Sequence, residues 1–105
     1  MARFQIYRNH GIRSARAPFL VDVQNDFLDA LGTRIVVPLL IASVLKHRPT
    51  GDLYPIIRVN GEDHVMSTPE LAAVSLTILK SAVCSVSESE RSLIQEALDR
   101  VFGAY

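Results

Sequence analysis

The sequence has no tryptophan, one cysteine, no excess of charge of either sign and no long hydrophobic run. Each absence excludes something. A lone Cys84 cannot form an intramolecular disulfide, so the fold must hold by burial and hydrogen bonding, and a reducing compartment fits. Eleven Lys and Arg cancel eleven Asp and Glu, which argues against the strongly basic face on which direct, specific nucleic-acid binding rests. The longest apolar stretch, Ile35 to Leu45, is about half the length of a membrane helix and is interrupted by Pro38. The opening MARFQIYRNHGIR carries charges where a signal peptide needs an apolar core. A cytoplasmic protein with no membrane partner is expected. His10, His47 and His64 lack pairwise metal spacing and read as surface or hairpin imidazoles, and no glycine-rich phosphate loop is present. No metal or cofactor is called for. Repeats, low-complexity tracts and linkers are also missing, and 105 residues make one domain, 1–105, with its own core.

What is present is mostly strand. RFQIYR alternates as a half-buried strand does, with Phe4 and Ile6 on the inner face and Gln5 and Tyr7 on the other. NHGIRSARAP is a loop closed by Pro18. FLVDVQ sets Phe19, Val21 and Val23 against Asp22 and Gln24. RIVVPLLIASVL is rich in β-branched residues, and Pro38 must sit at an edge, bulge or bend because it lacks a backbone donor. KHRPTGD is a connector, and LYPIIRV is a further strand. Asn60-Gly61 is a type I′ hairpin signal returning into HVMS. LAAVSLTIL reads as a strand, with a helical turn opened by Thr68 and Pro69 as the alternative at its start. Ser87 and Glu90 form a capping box. Leu93, Ile94, Ala97, Leu98, Val101 and Phe102 then recur at helical spacing, with Glu96, Asp99 and Arg100 opposite and Gly103 as the stop. Short antiparallel strands followed by one helix exclude the strand–helix alternation of a doubly wound sheet.

One string, FLVDVQNDFLD, Phe19 to Asp29, points toward chemistry. It resembles the strand that ends in a catalytic Asp in cysteine hydrolases of the isochorismatase type. The nominal parts are Asp22 as base, Lys46 or Lys80, and Cys84 as nucleophile. The context is against them. SAVCSVSES lacks the Gly- and Thr-bearing turn that precedes the hydrolase Cys, and the chain is too short for the crossover helices that parallel strands need. Cys84 between Val83 and Val86 reads as a small buried hydrophobe. The string's polar residues, Asp22, Gln24, Asn25 and Asp26, read as a solvated turn. Phe27 and Leu28 either tuck under the strands or form an exposed pair suited to binding.

The order RFQIYR, FLVDVQNDFLD, GTRIVVPL, LYPIIRVNGED and a closing helix resembles the CcdB family of toxin–antitoxin toxins over nearly the whole chain. The resemblance implies a mainly-β, SH3-like antiparallel barrel with one C-terminal α-helix, assembled as a homodimer. It implies a non-enzymatic toxin that binds the DNA gyrase A subunit and traps the cleaved gyrase–DNA complex, neutralised by a cognate CcdA-like antitoxin. A MazF-like endoribonuclease of the same fold is the alternative. The gyrase-binding residues it implies are Asn25, Phe27, Leu28, Asp99, Phe102, Gly103, Ala104 and Tyr105. The family typically ends in Trp-Gly-Ile, whereas this chain ends VFGAY. A register shifted by one puts Phe102 on the Trp and Gly103 on the Gly, with Tyr105 as an extension. The preferred register, which keeps Leu98 and Val101 buried, puts Gly103, Ala104 and Tyr105 on the three positions. Tyr105 is then the expected aromatic substitute for the missing Trp.

Overall fold

The computed structural model describes residues 2–11, 13–28, 30–44 and 52–103. Lys46, His47, Asp29, Ala104 and Tyr105 lie outside the described residues. The elements are strands β1 (Gln5–Arg8), β2 (Phe19–Asp22), β3 (Thr33–Ile41), β4 (Ile56–Val59), β5 (Glu62–Met66), β6 (Ala72–Ser75) and β7 (Ala82–Ser85), then helix α1 (Glu88–Phe102). Every strand pairing is antiparallel. The order is β4-β5-β3-β2-β1-β7, with β6 also on β3. The expected mainly-β fold with a C-terminal helix is what the chain adopts, as a curled half-barrel whose end strands β4 and β7 do not pair among the described residues.

β3 is the spine because one edge serves β2 while the other serves two strands in turn. Thr33 to Val36 pair with β6, and Leu39 to Ile41 pair with β5. Pro38 sits in the gap between these ladders. Its carbonyl accepts the Ser67 N–H at 3.0 Å, so its donor-less nitrogen faces the same break and no ladder bond is lost. Asn60 (φ 53°) and Gly61 (φ 82°) both take the left-handed backbone and join β4 to β5, as the Asn-Gly signal predicts. LAAVSLTIL does not run as one strand. Single 3₁₀ turns at Thr68–Glu70 and Leu76–Ile78 flank the four residues of β6.

The sheet is covered on both sides. Ile6, Val21, Val37, Leu39, Ile57 and Met66 pack with Ile94, Ala97 and Leu98 of α1. Tyr7, Leu20 and Val36, the alternating neighbours, pack with Leu79 on the other face. Tyr7, expected to point outward, is therefore core. The capping box forms as read. Ser87 Oγ accepts the Glu90 N–H at 3.4 Å, and Glu90 Oε1 accepts the Ser87 N–H at 3.3 Å. Gly103 ends the helix at φ 75°. The helix stripe is narrower than its sequence suggests, since Leu93 and Phe102 are exposed. No helix of the described residues is long and apolar enough to cross a membrane.

Candidate functional site

β2 ends in a buried carboxylate. Asp22, expected to be solvated, is fully inaccessible, and Gln24 is buried too. The reason is a cation twelve positions downstream. Arg34, on β3 and 1% exposed, donates from Nε to Asp22 Oδ2 at 2.7 Å and from Nη2 to Asp22 Oδ1 at 3.0 Å. A charge leaves water at this depth only when it is paired and hydrogen-bonded. Nη2 also reaches the Gln24 carbonyl at 3.3 Å and Asp26 Oδ1 at 3.1 Å. Burial opposes the Arg34 charge, yet the two carboxylates outweigh it and raise its pKa. Tyr7, nearby in the core, has its hydroxyl pKa pushed up by burial first and by the Asp22 charge second.

After Gln24 the chain turns outward. Asn25 Oδ1 accepts the Phe27 N–H at 2.9 Å, and the Leu28 N–H reaches the Asn25 carbonyl at 2.9 Å. Asp26–Leu28 make a single 3₁₀ turn. Asp26 Oδ1 also accepts the Arg3 N–H at 2.8 Å, which, followed by Arg34, holds its carboxyl below the usual range. The result is an apolar pair in water, with Phe27 95% and Leu28 49% exposed. The choice the sequence left open, tucked or exposed, resolves to exposed.

α1 brings its last turn to the same place. Asn25, Leu28, Asp99 and Phe102 line one cleft of about 330 Å³, together with Arg3, Gln24, Gln95 and Leu98. Phe102 is 72% exposed, and Gly103 follows it out of the helix. Arg3 ties the two sides together. Its Nε donates to the Val23 carbonyl at 3.1 Å and its Nη2 to Gln95 Oε1 at 3.1 Å, while Gln95 Nε2 donates to Asp99 Oδ1 at 3.0 Å. The arrangement offers apolar side chains ringed by fixed polar groups, which is the form of a binding face. Among the described residues no group of three or more His, Cys, Asp or Glu is placed to hold a metal.

Of the residues implied at the sequence level, Asn25, Leu28, Asp99 and Phe102 converge on this cleft. Phe27 projects from the same turn, and Gly103 caps the helix beside Phe102. Reading the sequence missed Arg3, Gln24, Arg34 and Gln95. A signal for Arg34 exists in β3, where it is buried between exposed Thr33 and Ile35, the reverse of what hydropathy alternation asks. The hydrolase parts do not assemble. Both Asp22 oxygens are occupied by Arg34, and Lys80 is exposed in a loop. The Cys84 thiol packs against the main core and has its pKa raised, by burial first and by Glu90 second, the opposite of nucleophile activation. His64, expected as a surface or hairpin imidazole, does lie in the hairpin strand β5 but is buried, edge-on to Phe19 at 5.2 Å between ring centres.

The chain resembles known proteins in sequence and in shape. The family described as CcdB protein matches residues 3–103. Two solved structures from mycobacterial species share the fold at 16% identity. One, an endoribonuclease in complex with its cognate antitoxin, superposes with a TM-score of 0.79 over 98% of this chain and 95% of its own. The other, an endoribonuclease, gives 0.76 over 98% and 91%.

Proposed function

The chain belongs to the CcdB family of toxin–antitoxin toxins, and on that premise we propose that it binds the A subunit of DNA gyrase and traps the cleaved gyrase–DNA complex. The observation that carries this reading is the exposed apolar pair Phe27 and Leu28, of which Leu28 shares one cleft with Phe102, Asn25 and Asp99. An aromatic side chain almost wholly in water contributes nothing to the fold and has its full apolar area to offer a partner. Asn25, Asp99 and Gln95 supply a polar rim that fixes register. Gly103 ends α1 in the left-handed conformation, and the helix before it is anchored by Ile94, Ala97 and Leu98.

The toxin acts as a homodimer, so that two such faces meet a two-fold partner. A cognate CcdA-like antitoxin neutralises it in the cytoplasm. The mycobacterial structure solved with its cognate antitoxin supports a partner of that kind. Binding rather than catalysis is the mode of action. A second reading, an endoribonuclease toxin, is favoured by the activity named for both mycobacterial structures. One experiment separates them. Purified protein is titrated into gyrase with supercoiled DNA, and in parallel into a mixed RNA substrate. Accumulation of linear, gyrase-linked DNA with intact RNA supports the gyrase reading. Cleaved RNA with normal supercoiling selects the endoribonuclease.

A further inference from the structure

Phe27 is held in water at a cost. A phenyl ring gains free energy on leaving water, and Leu28 stands next to it in the turn. A lone 3₁₀ turn of three residues, Asp26–Leu28, cannot hold itself against that pull. No apolar side chain of the turn is buried, so packing does not hold it either. What grips the turn is polar: the Asn25 side chain caps the Phe27 N–H and the Arg3 N–H holds Asp26 from the side, and the rest of the grip comes from beneath. Arg34 Nη2 takes the Gln24 carbonyl and Asp26 Oδ1 at the front of the turn. The Gln24 amide takes its back, donating to the Leu28 carbonyl at 3.0 Å while its oxygen accepts the Ile35 N–H from β3 at 3.1 Å. Asp22 locks the guanidinium from below and accepts the Gln24 N–H at 3.0 Å. Both ends of the turn are thus clamped to β3, and only Phe27 between them is free to project.

We infer that Arg34 is the positioning residue of the binding face: it touches no partner, and it sets affinity by holding the Asn25–Leu28 turn so that Phe27 stays presented. The identity of the partner rests on the gyrase reading above; the positioning role does not. The guanidinium suits the task because its planar fork holds Asp22 through both Nε and Nη2 while Nη2 also donates to the loop at Gln24 and Asp26. A lysine ammonium carries the same charge on one point and cannot span both. Pre-fixing the turn removes the ordering cost that a mobile loop meets on binding. Being 1% exposed, Arg34 can reach a partner only through the turn.

The test uses Arg34→Lys and, as a second variant that leaves the buried ion pair intact, Gln24→Met. Each is made in the wild-type chain and in Phe27→Ala. Melting temperature reports the fold, backbone order parameters at Phe27 and Leu28 report the turn, and titration against purified gyrase A subunit reports affinity. The expected result is a folded variant with lowered order parameters at Phe27 and Leu28. Its affinity should fall about tenfold or more in the wild-type chain and change little in Phe27→Ala, since residues acting through one another are not additive. If Arg34→Lys does not fold, Gln24→Met must show the same pattern. Unchanged order parameters, or an equal loss of affinity in both backgrounds, overturns the inference. If the wild-type protein does not bind gyrase A at all, the gyrase reading fails and the order parameters alone decide the positioning role, supporting it if lowered and overturning it if unchanged.

Discussion

Leu28, in the turn after β2, and Phe102, in the last turn of α1, line one cleft although most of the chain separates them. Each comes from an element that reads locally. The turn follows a polar string, and the helix end follows an apolar stripe. What joins them is the packing of Ile94, Ala97 and Leu98 on the sheet, which carries the C-terminal turn back over the end of β2. The candidate face is therefore a product of the tertiary fold.

Asp22→Ala removes both oxygens that satisfy a buried guanidinium. The cost is expected to be about 3–5 kcal/mol, the range for breaking a buried pair by deleting one partner. Urea denaturation measures it. Asp22→Leu together with Arg34→Met should restore much of the loss, because an apolar pair leaves no unpaired charge.

Asp26 ties stability to pH. The Arg3 N–H, then the Arg34 guanidinium, hold its folded pKa below the unfolded value. Its contribution is thus complete above the unfolded carboxylate range and is lost as pH falls through the depressed folded value. The side chain is 59% exposed, so the effect is modest and screened by salt. Unfolding free energy followed from neutral pH into acid should fall less steeply in Asp26→Asn than in the wild type.

Cys84 is expected to be unreactive. Burial and Glu90 keep its thiol protonated at neutral pH. Alkylation by iodoacetamide should run well below the rate of a free cysteine peptide. Cys84→Ala should leave toxicity in growth assays unchanged.

Truncation after Phe102 separates fold from function. Ile94, Ala97 and Leu98, which seat the helix, all lie upstream. The truncated protein should lose only a few tenths of a kcal/mol of stability, the ordinary size of a change at a chain terminus. Its affinity for the gyrase A subunit should fall at least about tenfold, the loss expected when an anchor is removed.

The elements were legible where a local rule governs them. Asn60-Gly61, the Ser87–Glu90 capping box and the Gly103 stop each answer to neighbours a few residues away, and each stands as read. Period-2 reasoning failed at Tyr7, which is core because Leu79 and its neighbours cover the second face of the sheet. It failed again at Asp22 and Gln24. Polar residues after a strand ordinarily mean solvent, and only the pairing of β2 with β3 brings Arg34 against them. For the site, the family resemblance named Asn25, Leu28, Asp99 and Phe102, and the fold gathers them in one cleft. The supporting residues Arg3, Gln24, Arg34 and Gln95 stayed hidden because their roles depend on hydrogen bonds across distant segments.

The most direct test of the account is the affinity of the gyrase A subunit for the wild-type protein and for Phe27→Asp/Leu28→Asp, measured by calorimetric titration alongside the melting temperature of each. Both side chains are exposed, so the double variant should keep its melting temperature within the spread of ordinary surface changes, about 0.5 kcal/mol. Its affinity should fall by about a hundredfold or more, since charge is placed where an apolar anchor is needed. Wild-type affinity retained by the folded double variant would contradict the assignment of this face as the gyrase-binding surface.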